Sequence, residues 1–198
     1  GNLAVMYNNL ALSYAYNEDF KKAIIYFEKA LIIFKKEESK YIDLVITILN
    51  NISNIYLKSK DLINAMNVFK KVQEIRRKYN YFDGQQLGIE YRILADSYKI
   101  AGDYDKAIEL LCGGIKLHKS INVLKRNDFY LSAYYNQLSQ LYLYKNDIGQ
   151  AISNQEMAVK TLEDINLNNS DYLLQMYTIV LSLYQHEGIK DKEEEVIN

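Results

Sequence analysis

Five pairs of residues could do chemistry together because of their type and spacing. Asn8 and Leu12, Asn50 and Asn54, Arg92 and Asp96, Asn136 and Gln140, and Thr178 and Ser182 each lie four residues apart. On an α-helix that spacing stacks both members on one face. A carboxamide offers a donor and an acceptor, the complement of a peptide bond. A column of carboxamides would hold an extended main chain with little regard to its side chains. Arg92 and Asp96 would instead fix a chain terminus or a charged side chain. Solvation is the competing reading. Exposed helices carry amides and charges anyway, and Arg92–Asp96 would then be an intrahelical ion pair worth about 0.2–0.5 kcal/mol.

Catalytic groupings are absent from the pattern. His118 and His186 stand far apart, and Cys112 has no partner at CxxC spacing, so no metal-ligand set is expected. Gly113 and Gly114 fall on a helical stretch rather than in a phosphate loop, where their expected use is close helix packing. Cys112 reads as a small buried apolar residue. The acidic run Glu193–Glu195 reads as a solvated helix face. Nothing pairs a nucleophile with a base. The chain is therefore expected to be non-enzymatic and to need no cofactor.

The elements that would carry the amides repeat along the chain. "NEDFKKA" (17–23), "SKDLINA" (59–65), "AGDYDKA" (101–107) and "KNDIGQA" (145–151) share one shape. Their closing alanines, Ala23, Ala65, Ala107 and Ala151, are spaced by 42, 42 and 44 residues. Nine residues before each stands Tyr14, Tyr56, Tyr98 or Tyr142. Four residues before that tyrosine stands Leu10, Ile52, Leu94 or Leu138, followed by Ala11, Ser53, Ala95 or Ser139. A period of this size means stacked supersecondary units. Tyr7, Leu10, Ala11 and Tyr14 mark the core face of one helix. Phe20, Ala23, Ile24, Phe27, Ala30 and Leu31 mark that of a second. Asp19, Asp61, Asp103 and Asp147 sit between the two as helix N-caps. The small residues let the paired axes approach. A fifth unit begins at Tyr177, Val180, Leu181 and Tyr184, with Ile189 where the aspartate belongs.

This pattern resembles the tetratricopeptide repeat. Unit one matches that family through Tyr7, Leu10, Ala11, Tyr14, Phe20, Ala23, Phe27 and Ala30. Unit three matches through Tyr91, Leu94, Ala95, Tyr98, Gly102, Tyr104 and Ala107. Unit two is looser after Ala65, with Phe69 and Val72. Unit four has Gln155 in place of Phe before it recovers at Ala158. The family's proline is missing everywhere, and its usual period is about 34 residues. The extra residues here fall between units, where helices about one turn longer are expected. The resemblance implies an all-α fold: a right-handed α-α superhelix of four hairpins plus a partial fifth, whose first helices line a concave groove. The expected repeats are about 4–41, 46–83, 88–126, 132–168 and a partial 174–198 in a single domain, 1–198. The groove residues would be Asn8, Asn50, Asn54, Arg92, Asp96, Asn136, Gln140, Thr178 and Ser182. Tyr16 and Tyr144 would edge it.

Bulk properties narrow the functions. The 198 residues are 49% hydrophobic and 25% charged, with a net charge of −1. That is globular composition without the basic excess of a nucleic-acid surface. No stretch reaches the roughly 20 apolar residues of a membrane span, and one cysteine allows no internal disulfide, as in a reducing compartment. Helical pattern starts immediately after Gly1, so the chain is expected to be a piece of a longer polypeptide and cytoplasmic. The expected partner is a peptide or protein segment, and a homodimer is compatible with this. The chain is similar to the peptide-sensing domains of Gram-positive intracellular transcriptional regulators, whose repeats run near 40 residues and whose groove asparagines clamp a peptide backbone. It is also similar to kinesin-light-chain-type scaffolds, though it lacks their Gly- and His-Pro-containing linker. A third reading makes it the accessory domain of an enzyme. Asn50→Ala combined with Asn136→Ala is expected to weaken peptide binding at least tenfold.

Overall fold

Proline is absent and apolar residues recur at helical spacing, and the chain folds accordingly. A computed structural model describes residues 2–82, 84–121, 129–165, 171–189 and 192; side chains at 84–87 and 121 are not described. Its helices are α1 (Asn2–Tyr16), α2 (Phe20–Phe34), α3 (Ile42–Lys58), α4 (Leu62–Tyr79), α5 (Gly84–Ile100), α6 (Tyr104–Ile121), α7 (Phe129–Tyr144), α8 (Ile148–Asp164) and α9 (Asp171–Glu187). No strand occurs among the described residues. The helices pair as hairpins α1/α2, α3/α4, α5/α6 and α7/α8, and α9 packs on α8. The chain adopts the expected all-α class, and the described residues form four hairpins and the first helix of a fifth unit, whose remainder, with Glu193–Glu195, lies outside the described residues. Two compact units divide it, Gly1–Phe82 and Asp83–Asn198.

Each hairpin closes by one device. The residue immediately before each capping aspartate takes positive φ: Glu18 at 59°, Lys60 at 59°, Gly102 at 81° and Asn146 at 58°. The following aspartate N–H then donates back to the carbonyl of the tyrosine five residues earlier: Asp19 to Tyr14, Asp61 to Tyr56, Asp103 to Tyr98 and Asp147 to Tyr142, at 2.8–3.0 Å. The aspartate side chains accept from the backbone N–H groups of Lys22, Asn64, Lys106 and Gln150. These are the expected N-caps. Hydrogen bonds from Lys22 and from Asn64 hold the Asp19 and Asp61 carboxyls below their ordinary pKa.

Small residues let the helices cross closely. Ala11 and Ala23 are fully buried in the first hairpin, as are Ala107 and Ala151 in later ones. In unit one the core runs through Phe27, Leu31, Phe34, Val45, Ile48 and Ile52, with Tyr14 stacked on Tyr26 at 5.4 Å. The extra residues of the long period lengthen the second helices: α2 runs on into a 3-10 turn, Lys35–Glu37, and α4 reaches Tyr79. Glu38 anchors that junction by accepting from Lys78 Nζ and Tyr79 Oη, each at 2.9 Å. In the second compact unit Gly114 of α6 admits Tyr134 of α7: a Cβ there would lie 2.9 Å from its ring Cζ. Gly114 thus serves close packing, as expected, whereas a Cβ on Gly113 would make only an ordinary 3.6 Å contact with Tyr91. Leu10 departs from its expected place in the core and is exposed on α1. Cys112 departs likewise and is exposed on α6.

Candidate functional site

The expected site residues all lie on first helices: Asn8 on α1, Asn50 and Asn54 on α3, Arg92 and Asp96 on α5, Asn136 and Gln140 on α7, Thr178 and Ser182 on α9. Their 3.6-residue register keeps them off the face occupied by the conserved-spacing aromatics and aliphatics. Asn8, Asn50, Arg92, Asp96, Asn136 and Gln140 are half-buried, while Asn54, Thr178 and Ser182 are exposed.

In the second compact unit, Asp83–Asn198, α5 and α7 bring Arg92 and Asp96 close to Gln137. Arg92 Nε on α5 donates to Gln137 Oε1 on α7 at 3.1 Å, tying the two first helices together. Asp96 pairs with Lys99 at 2.9 Å instead of with Arg92. The intrahelical Arg92–Asp96 pair of the solvation reading is therefore not formed; each charge takes another partner. Ala95, Asp96 and Lys99 of α5, Leu111 of α6, and Gln137 and Leu141 of α7 line a shallow surface depression with no enclosed volume. Asn136 borders Gln137 in sequence. Its Oδ1 is shielded from solvent and has no hydrogen-bond partner among the described residues. Asn8 Oδ1, at the matching repeat position in unit one, is in the same condition. Its Nδ2 makes only a 3.5 Å contact to Asn9 Oδ1.

Thr178 is self-satisfied: its hydroxyl donates to the Leu174 carbonyl of its own helix at 2.8 Å. Nothing links Thr178 or Ser182 to the α5–α7 cluster among the described contacts. Tyr16 and Tyr144 are exposed, the latter stacked on Tyr104 at 5.3 Å.

Gln137 is the residue that sequence reasoning missed. It directly follows Asn136, and Asn9 and Asn51 hold the same repeat position in the first two hairpins. That recurrence was the available signal. Aliphatic residues on the same face were missed too. Ile89, Ile93 and Ile100 lie within about 60° of Asp96 around α5, and all three are exposed.

No group of three or more His, Cys, Asp or Glu side chains that could hold a metal occurs among the described residues. Partial burial raises the Cys112 thiol pKa, away from reactive thiolate. No described helix is long and apolar enough to cross a membrane.

The tetratricopeptide repeat model matches residues 2–78. The chain has the tetratricopeptide repeat fold. BtubC (BKLC) from P. vanneervenii superposes with a TM-score of 0.67 at 19% identity, over 95% of this chain and 74% of that one. The apo form of RapI gives 0.73 at 13%, over 98% of this chain and 51% of that one. A Rap protein complexed with competence and sporulation factor gives 0.54 at 18%, over 98% and 51%. The chain thus spans about half the length of the two Rap proteins. No curated protein matches the chain by sequence. Stacked repeat proteins of this kind present extended concave surfaces that serve in binding.

Proposed function

We propose that the first-helix face binds a peptide or an extended protein segment without catalysis, as the sensor domain of a bacterial intracellular regulator of the transcriptional type. The observation that carries this reading is the Asn136 carboxamide. A shielded amide oxygen without a donor costs about 1–3 kcal/mol. Rotating the amide outward offers that oxygen, and its N–H₂, to a main chain lying along α7. Arg92 and Gln137 fix the neighbouring wall. Ile89, Ile93 and Ile100 supply apolar contact for aliphatic side chains. The face therefore suits a short peptide with aliphatic residues better than a strongly charged one. A Rap protein of this fold complexed with competence and sporulation factor supports the sensor form of the reading.

The test is a library of unmodified hexapeptides screened against the purified chain, with hits measured by calorimetry. Binding should weaken at least tenfold in Asn50→Ala with Asn136→Ala, with the melting curve little changed. Equal affinity in that variant would refute the clamp. Hits confined to long folded partners would favour a general scaffold.

A further inference from the structure

Arg92 carries unused binding capacity on the first-helix face of the second compact unit. A guanidinium has five N–H donors in a planar fork and stays charged at any ordinary pH. The described contact engages Nε alone, with Gln137 Oε1 of α7 at 3.1 Å. Among the described residues no carboxylate pairs with Arg92; Asp96, one turn on, is taken by Lys99 at 2.9 Å. The Nε bond sets the plane of the fork and leaves the two Nη groups, the edge that donates to both oxygens of one carboxylate. Arg92 is half-buried, and a charge partly withdrawn from water gains from a counter-ion.

Apolar side chains stand open beside it. Ile89 and Ile93, three before and one after Arg92 on α5, are 41% and 42% exposed. Phe129, two turns before Asn136 on α7, is 38% exposed, and its ring lies 5.0 Å from that of Tyr172 on α9. Burial pushes the Tyr172 phenol pKa up and the Arg92 charge opposes that rise, so the guanidinium is close enough to act on this aromatic end. The compact unit holds 11 Lys and Arg against 17 Asp and Glu. Its field disfavours a polyacidic guest and leaves Arg92 suited to a single negative charge.

We infer that Arg92 anchors the free C-terminal carboxylate of a peptide whose last side chain is aliphatic. The anchor rests on the peptide reading of the same face and specifies which end of the peptide it holds. A C-terminal residue projects its carboxylate and its side chain from one Cα, so a single residue reaches the Arg92 fork and the isoleucines together. An internal Asp or Glu satisfies the fork but leaves the isoleucines to other residues. The main chain before the last residue then meets the Asn136 amide, one position from Gln137.

The probes are hexapeptides with five random positions and a C-terminal leucine, made as a free-acid pool and an amide pool and captured on the immobilised chain. Captured sequences, resynthesised in both forms, are measured by calorimetry. Each acid should bind at least tenfold tighter than its own amide. Arg92→Gln should bring the acid down to the level of the amide and leave the amide unchanged. Equal weakening of both forms would make Arg92 a structural partner of Gln137 and overturn the anchor. Arg92→Lys, which keeps the charge without the fork, should retain a smaller preference for the acid, and it carries the test should Arg92→Gln lower the melting midpoint. Equal binding of acid and amide by the wild type would overturn the anchor and leave the peptide reading standing, whereas capture from neither pool would overturn both. An amidated peptide with an internal Asp or Glu that binds as tightly, and loses that affinity in Arg92→Gln, would make a side-chain carboxylate the occupant and overturn the C-terminal assignment.

Discussion

One backbone position decides how tightly each hairpin closes. Glu18, Lys60, Gly102 and Asn146 occupy it with positive φ, and only Gly102 does so without a Cβ penalty. Gly188 holds the same position after Tyr184, with φ 69°, and the Ile189 N–H donates to the Tyr184 carbonyl at 3.0 Å. The fifth turn thus keeps the backbone geometry although Ile189 cannot cap. The closure depends on a left-handed residue, and the aspartate adds the cap. Gly102→Ala should cost about 1 kcal/mol, the left-handed penalty of an L residue. Lys60→Gly should gain about 0.5 kcal/mol, because relief of that penalty is partly offset by the extra freedom of glycine in the unfolded chain. Urea denaturation of the two variants checks both signs. A stabilising Gly102→Ala together with a destabilising Lys60→Gly would show that the turn is not the strained element.

Between elements, the α8–α9 contact is where the sequence departs from its own repeat. Gln155 stands where the pattern calls for Phe, and the sequence showed that substitution without showing its consequence. The residue is fully buried; its Nε2 donates to Met176 O at 3.3 Å, and its Oε1 has no partner among the described residues. A buried acceptor left unmade costs about 1–3 kcal/mol, more than one long hydrogen bond returns. Gln155→Leu should therefore raise the stability of the second compact unit, Asp83–Asn198, by about 1 kcal/mol, read as a higher melting midpoint. A lower midpoint would mean that the Met176 bond outweighs the orphaned oxygen. The hairpins themselves were legible in the sequence because Ala11, Ala23 and the capping aspartates repeat in register, and short-range rules fix what they do. Partner choice on the surface was not legible. Arg92 bonds Gln137, 45 residues on, and Asp96 takes Lys99, because the facing helix and the local rotamers decide between equally spaced candidates. Cys112 was misplaced for a related reason: helical periodicity locates a face, but its cover is set by a neighbouring element.

Across the whole molecule, burial is distributed unevenly among helices of similar length. Nine residues of the sixteen in α7 are buried, against two of the fifteen in α1. The difference follows from stacking: α7 packs against α5, α6 and α8, whereas α1 packs chiefly against α2. In a repeat array each unit's stability is its own plus that of its neighbouring interfaces, so a helix covered on one side opens at lower free energy. Helix α1 also has an apolar stripe facing water and no charged residue to cap or stabilise its ends. Hydrogen–deuterium exchange should accordingly find the amides of α1 exchanging at least tenfold faster than those of α7 under native conditions. Uniform protection across both helices would instead mean that the chain opens as a single cooperative body, and nearest-neighbour stacking would no longer account for its stability.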